Sequence, residues 1–374
     1  MHVGLNAQLL TLKQNYRGAG INAYIFHLLR TIGELDLPHY FTVFLGERGF
    51  RHENLDLRYT SWPTYHPWVR IIWEQVALPV LLRGVGADIL HAMAFVIPLM
   101  IHCPSVVTIY DLSFLHYPQA FRPFNRWYLS HFTPPSVRKA RRVIAISEST
   151  RQDVIREFHV PAERVDVVHC GVDPSFRPLP TNKVENFRQE HQLTEPFVLF
   201  VGTLEPRKNV ELLIRAYARW RAKSTRAPKL VIAGAKGWYF ETIFRTVTKL
   251  GLDGDVLFPG YIAAEQLPLW YNAATLFVYP SIFEGFGLPV LEAMACGTPV
   301  VCSNVSSLPE VAGDAAMLVS PNDETELAEA MNTVWESPTL RCEMVERGFA
   351  RARALTWARA AMQTVQTYER ALEG

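Results

Sequence analysis

Two carboxylates, Glu284 and Glu292, stand in one stretch with seven residues between them: Y-P-S-I-F-E-G-F-G-L-P-V-L-E-A-M-A-C-G, from Tyr279 to Gly297. A carboxylate accepts hydrogen bonds in pairs, which suits the vicinal hydroxyls of a ribose or a hexose. Between the two acids lie Gly285, Phe286, Gly287 and Leu288, then Pro289. The pattern predicts a strand ending at Pro280, a glycine-rich loop, and a helix that Pro289 starts and Gly297 stops. Such a helix start offers unpaired backbone N–H groups and a positive dipole end, a site for phosphate or sugar hydroxyls. The alternative for Glu292 is a plain complement to that dipole from the first helical turn, worth about 0.3–1 kcal/mol.

A second set is Gly202-Thr203-Leu204-Glu205-Pro206-Arg207-Lys208-Asn209, which follows an apolar run and is read as opening a helix. Arg207 supplies a planar fork and Lys208 a point charge, together suited to a diphosphate. Cations at a helix N-terminus oppose the dipole, which favours an anion site over a solvated start. A third, Arg17 to Ala23, spells G-x-G-x-x-A through Gly18 and Gly20. That is the dinucleotide fingerprint, and it opens a rival reading as an NAD-dependent enzyme. Against the rival, the loop between Leu10 and Gly18 is long for a fingerprint turn, and the second strand ends near Glu47, later than the usual acidic partner about 20 residues on. The fourth set is Thr108-Ile109-Tyr110-Asp111-Leu112, a strand end that could aim Asp111 at a ligand, with His116 beyond. The alternatives are a loop-capping aspartate and a surface histidine.

These sets need parallel sheets to hold them. Strand-like runs are His2–Leu10, Phe41–Glu47, Asp88–Ala94, Val106–Leu112, Val143–Ser147 and Arg164–His169. Helical patterns cover Ile21–Leu35, Pro67–Leu82, Phe124–Ala140 and Ser149–Phe158. After a Pro- and Gly-rich break from Cys170 to Pro180, strands resume at Phe197–Val201, Leu230–Ala233, Asp255–Phe258, Leu276–Tyr279, Val300–Cys302 and Met317–Val319. The alternation predicts an α/β fold of two doubly wound, Rossmann-like domains facing a central cleft, with ligands at the strand C-termini. The domains are 1–172 and 173–356; the last helix, about 357–374, either ends the second or crosses back to the first.

A chain of 374 residues is long enough for two cores, and its net charge of +1 provides no global attraction for nucleic acid. Five cysteines without C-x-x-C spacing argue against disulfides or a zinc site and fit a reducing cytoplasm. No secretion signal pattern opens the chain. Ile89 to Tyr110 lacks charged residues over a membrane-spanning length, but Pro98, Pro104, His91 and His102 interrupt it, so strand, loop, strand is the reading. Residues 121–142 are basic and aromatic, and no acid occurs from Leu112 through Ser147. Two readings stay open for this stretch: an amphipathic helix with a solvated face, or a peripheral contact at the inner face of the plasma membrane.

The stretch P-S-I-F-E-G-F-G-L-P-V-L-E-A-M-A-C-G-T-P-V-V resembles the E-x7-E signature of the family-four retaining glycosyltransferases of the GT-B fold, mannosyltransferases among them. G-T-L-E-P-R-K-N-V resembles that family's phosphate loop, and R-G-A-G-I-N-A-Y its N-terminal glycine loop. The resemblance implies that Glu284 contacts the donor sugar and Glu292 the ribose. Arg207 and Lys208 would bind the diphosphate and stabilise the leaving group. Gly202 and Thr203 would belong to the phosphate loop. N–H groups of Phe286, Gly287 and Leu288 would meet sugar hydroxyls and phosphate. Gly18 and Gly20 would let the first domain close on the donor, and the backbone of Tyr261 and Ile262 would read the base. It further implies a nucleotide-diphosphate sugar as donor, best matched to GDP-mannose, and a glycan or lipid-linked acceptor. No metal and no cofactor is implied, and the last helix is expected on the first domain. Tyr110, His169 and Thr203 depart from common family choices, which bears on acceptor and donor identity. The mechanism expected is front-face attack, with Asp111 orienting the acceptor hydroxyl. Replacing Lys208 by Ala is expected to cut turnover with little loss of folding. A GT-B epimerase, which would release an isomer without an acceptor, is the alternative.

Overall fold

A computed structural model of the chain describes residues 1–12, 19–224 and 227–373. The chain divides into two compact units, Met1–Gly171 with Trp357–Gly374, and Val172–Thr356. The chain passes out of the first unit after Gly171 and returns before Trp357. Within the second unit these ends are joined: the Val172 amide donates to the Leu355 carbonyl at 3.1 Å.

The first unit is built on seven parallel strands: β1 (His2–Asn6), β2 (Tyr40–Leu45), β3 (Asp56–Tyr59), β4 (Ile89–Ala92), β5 (Ser105–Ile109), β6 (Arg142–Ala145) and β7 (Val165–Val167). Their order is β3-β2-β1-β4-β5-β6-β7. β4 and β5 are buried throughout, and β1 in all but His2, because helices cover both faces of a parallel sheet. The uncharged stretch from Ile89 to Tyr110 is therefore strand, loop, strand, and no described helix is long and apolar enough to cross a membrane. The edge strand β3 escapes sequence reading because Asp-Leu-Arg-Tyr has no apolar run and is only half-buried. The helix Trp357–Glu373 lies in this unit. Its Tyr368 hydroxyl meets Nδ1 of buried His91 at 2.7 Å, while Nε2 meets Thr108 Oγ1 at 2.8 Å.

The second unit has six parallel strands: β8 (Phe197–Val201), β9 (Lys229–Ala233), β10 (Val256–Gly260), β11 (Leu276–Tyr279), β12 (Val300–Ser303) and β13 (Ala316–Val319). Their order is β10-β9-β8-β11-β12-β13. The winding reverses between β8 and β11, so the loops leaving their C-terminal ends diverge to opposite faces and leave a crevice between them. Both units are thus doubly wound α/β, as the alternation of strand and helix predicts.

Two helices differ from the sequence reading. The pattern from Pro67 is not one helix ending at Leu82. It runs as Pro67–Ile72, a wide π turn Trp73–Ala77, and Leu78–Val85, closed by left-handed Gly86. The stretch 121–142 forms Pro123–Lys139, with Pro134 and Pro135 inside it. Ser136 Oγ donates to the Phe132 carbonyl there, at 2.6 Å.

Candidate active site

The two sets richest in chemistry leave the sheet at the reversal between β8 and β11. After β8, Gly202 continues the ladder, its amide donating to the Ala233 carbonyl at 2.9 Å. A 3-10 turn, Pro206–Lys208, carries the two cations, and Asn209 then adopts φ 56° before the helix Val210–Lys223. Arg207 and Lys208 therefore precede that helix and do not open it. Their placement follows from the carboxylates they meet and not from any relation to the dipole. After β11, the loop ends at Gly287, whose φ is 106° and where a Cβ would lie 2.7 Å from Leu308. The helix Leu288–Ala295 follows. Pro289 is its second residue and Glu292 falls in its second turn, beyond the reach of the dipole effect, so the dipole alternative for Glu292 lapses.

Glu284 is the centre of a buried cluster. Lys208 Nζ donates to its Oε1 at 2.6 Å, and Arg207 Nη1 to its Oε2 at 3.0 Å. The Tyr279 hydroxyl donates to the same Oε1 at 3.0 Å and accepts from Lys208 Nζ at 2.5 Å. Arg207 is further held by the Phe283 carbonyl at 2.7 Å and by Glu205 Oε1, 2.9 Å from Nη2. The Ile282 amide donates to the Arg207 carbonyl at 3.0 Å, so the two loops are latched main chain to main chain. Ser307 Oγ lies 2.9 Å from the Glu284 carbonyl and 2.7 Å from that of Phe286. Burial disfavours the Glu284 carboxylate, but Arg207 and then Lys208 outweigh it and hold its pKa down to about 2. Burial pushes the Lys208 ammonium down, against the pull of Glu284. The cluster thus keeps a carboxylate ionised and two cations oriented before any ligand arrives, which is electrostatic preorganisation. Burial also corrects one expectation. Truncating Lys208 to Ala leaves a buried carboxylate short of a partner, and such losses cost about 3–5 kcal/mol, so folding would not be spared.

Glu292 accepts a hydrogen bond from the Tyr271 hydroxyl at 2.9 Å. Burial raises its pKa to about 7, with the Tyr271 bond opposing and the Asp173 charge reinforcing the rise. Two carboxylates in one loop–helix unit therefore hold opposite protonation tendencies near neutral pH.

The remaining sequence candidates are spread more widely. Gly202 and Thr203 follow β8, and Gly202 is pressed by Gly234, where a Cβ would sit 1.8 Å from the Gly202 carbonyl oxygen. Gly285 and Phe286 are buried between Glu284 and the helix start at Leu288. Exposed Tyr261 and buried Ile262 follow β10, after Gly260 at φ 83°. Asp111 and Gly20 belong to the first unit, and Gly18 lies outside the described residues. β5 stops at Ile109, two residues short of Asp111, whose Oδ1 accepts from the Ser113 amide at 2.8 Å and from its hydroxyl at 2.5 Å. That is the capping geometry. His116 lies 3.7 Å from Asp153, and the Tyr110 hydroxyl donates to the Met93 carbonyl at 2.6 Å. Gly20 is exposed in the first turn of the helix Ala19–Glu34. Sequence reading missed Glu205, Tyr279, Ser306 and Ser307 as parts of the site. Glu205 and Tyr279 were within the quoted stretches, but nothing in the spacing marks which of them turns inward. The serines follow β12 and meet Glu284 only through tertiary packing, Ser306 Oγ accepting from the Glu284 amide at 3.2 Å.

Comparison with known proteins identifies the family and the fold. The family described as "Glycosyltransferase Family 4" matches residues 18–176, and "Glycosyl transferases group 1" matches residues 182–351. O-antigen chain mannosyltransferase B of Escherichia coli is 34% identical over 290 residues, 77% of this chain and 76% of that protein. Serotype-specific mannosyltransferase WbdA of Escherichia coli is 30% identical over 239 residues, which are 63% of this chain and 29% of that longer protein. The fold matches that of sucrose-phosphate synthase from Thermosynechococcus elongatus with a TM-score of 0.80, at 22% identity, over 99% of this chain and 98% of that one. These matches set aside the nicotinamide reading. With the buried Arg207–Glu284–Lys208 cluster at the sheet reversal, they establish that the chain belongs to the family-4 glycosyltransferases of the GT-B fold.

Proposed function

We propose that this glycosyltransferase moves mannose from a nucleotide-diphosphate donor to a growing glycan in O-antigen-type polysaccharide synthesis, with retention of anomeric configuration and without a metal ion. The observation that carries the proposal is the Lys208–Glu284–Arg207 cluster, which holds two cations rigidly beside a helix N-terminus. The mannosyltransferase relatives support the sugar, and they favour transfer over epimerisation. Arg207 and Lys208 take the diphosphate oxygens, as a fork and a point charge. N–H groups of Phe286, Gly287 and Leu288 meet phosphate and sugar hydroxyls. Glu284 orients the transferred sugar, Glu292 holds the ribose, and the main chain at Tyr261 and Ile262 meets the base. In the reaction, the bond from the anomeric carbon to the diphosphate oxygen breaks as the acceptor oxygen bonds to that carbon on the same face. The acceptor's proton passes to the departing phosphate oxygen, whose charge the two cations stabilise. Asp111 orients the acceptor hydroxyl.

The test is transfer from GDP-α-mannose to a mannose-terminated oligosaccharide, with the product anomer read by NMR and a chelator control. An α-linked product formed in the presence of chelator supports the reading. Lys208→Met, which keeps the stem and removes the charge, is expected to lower kcat by roughly 100-fold or more in protein verified as folded. A β-linked product, or full turnover in Lys208→Met, overturns the mechanism. Absence of calorimetric heat with any nucleotide sugar overturns the donor class.

A further inference from the structure

The first unit bears a line of apolar side chains that the transfer reaction does not use. Along the helical run from Pro67 to Val85, Trp68, Ile72, Val76 and Val80 are 58%, 52%, 61% and 67% exposed. Ile71, Trp73, Leu78 and Leu82 are buried on the other side, the last three packed with Phe44 and Leu90. Steps of four overshoot a 3.6-residue turn by about 40° each, so a stripe of that spacing drifts around an α-helix. The π turn Trp73–Ala77 takes up extra residues midway and counters the drift. Four large apolar side chains thereby stay close to one outward line.

The face continues beyond this run. Trp68 packs on Phe124 and Trp127, with ring centroids 4.4 and 5.8 Å away, and Trp127 is 41% exposed. Met100, 86% exposed, tips a loop that Gln75 holds by the Leu99 amide at 2.9 Å and that Lys139 holds by the Leu99 carbonyl. Contiguous apolar surface of this extent marks an interaction site.

Charge identifies the partner. From Thr60 to Ser147 the acids are Glu74, Asp88 and Asp111, against eight Lys and Arg. Glu74 is buried behind the stripe, where it accepts from the Tyr128 hydroxyl at 2.8 Å and lies 3.9 Å from Arg70. Asp111 is taken up by Ser113. Arg126, Arg138 and Lys139 stand exposed on the adjoining helix, Pro123–Lys139, and Arg122 is exposed at its N-cap. A second copy of this face would bring like charges together. We propose that the face docks on an anionic lipid bilayer, with Trp68, Ile72, Val76 and Val80 entering the boundary between headgroups and acyl chains. The basic residues of the neighbouring helix lie over the headgroups, and tryptophan is the residue most at home at that depth. The inference is independent of which sugar the second unit binds.

The full chain is sedimented with phosphatidylcholine vesicles, with and without phosphatidylglycerol. Binding to the phosphatidylglycerol vesicles, weakened by added salt, is expected. The double variant Ile72→Glu/Val76→Glu is expected to bind at least about tenfold more weakly, since each position gives up most of an apolar burial. Arg122→Glu/Arg126→Glu leaves the stripe intact and is expected to lose a similar factor on anionic vesicles only. All four positions are exposed or partly so, and both variants are expected to keep wild-type melting and nucleotide-sugar binding. A wild-type chain that stays in the supernatant with phosphatidylglycerol vesicles overturns the proposal, as does undiminished binding of Ile72→Glu/Val76→Glu. A wild-type dimer in sedimentation equilibrium that Ile72→Glu/Val76→Glu dissociates assigns the face to a second copy and equally overturns it.

Discussion

Replacing Glu292 by Gln removes a carboxyl group whose pKa burial raises from 4.5 to about 7. The folded chain therefore holds this proton more tightly than the unfolded chain does. Below pH 4.5 both states carry it, and the glutamate behaves as a neutral group. As pH rises towards 7 the unfolded chain ionises first and stability falls; above about 7 the loss is complete. At 1.36 kcal/mol per pH unit, the interval amounts to roughly 3 kcal/mol. For a unit the size of Val172–Thr356, each kcal/mol shifts melting by about 2–4 °C. Glu292→Gln is neutral at every pH, and its side-chain oxygen can still accept from Tyr271. It should melt roughly 6–12 °C above wild type near pH 8 and within a degree or two of it near pH 4.5. Calorimetric scans of both proteins across that range check this. A melting difference that does not change with pH would refute the reasoning, because only a charge penalty varies in that window. The same group predicts the pH dependence of donor binding. The diphosphate of an intact nucleotide sugar exchanges no proton near neutrality, so a pH-dependent affinity reports the protein. If the Glu292 carboxylate accepts from the ribose hydroxyls, affinity by titration calorimetry rises from pH 6 to 8 in wild type and stays flat in Glu292→Gln.

Three further substitutions separate the site from its scaffold. Tyr279→Phe removes the hydroxyl that lies between Lys208 and Glu284, and is expected to cost roughly 1–3 kcal/mol in urea unfolding and to lower kcat. Unchanged stability and kcat would show that the hydroxyl neither holds nor tunes the pair. Gly234→Ala drives a Cβ into the Gly202 carbonyl and is expected to lower melting sharply or prevent folding, whereas Gly254→Ala, with open space around it, should melt within a degree or two of wild type. Similar melting of the two variants would refute the close approach.

The two-sheet architecture was legible from periodicity because buried parallel strands read as apolar runs. β8, with Phe-Val-Leu-Phe-Val, and β11, with Leu-Phe-Val-Tyr, were bounded correctly for that reason. β3 was missed because an edge strand that is half-buried leaves no such run. Arg207, Lys208, Glu284 and Glu292 were legible as chemistry, since cations and acids flanking glycine turns have few structural uses.

Their relation to one another was not legible. Arg207 and Glu284 are 77 positions apart, and local preference cannot report that they meet. That contact depends on β8 and β11 becoming neighbours, which is a matter of sheet order. The sequence could name the acids but not their states: packing beside two cations holds Glu284 near pKa 2, and packing without one lifts Glu292 to about 7. The exposed apolar line had the same limit. Residue types along 67–85 are apolar on every side, and only the π turn and the covered core showed which side faces out. Composition and spacing carry residue chemistry and local backbone preference, whereas burial, charge state and partnership arise from long-range contacts that a linear pattern does not contain.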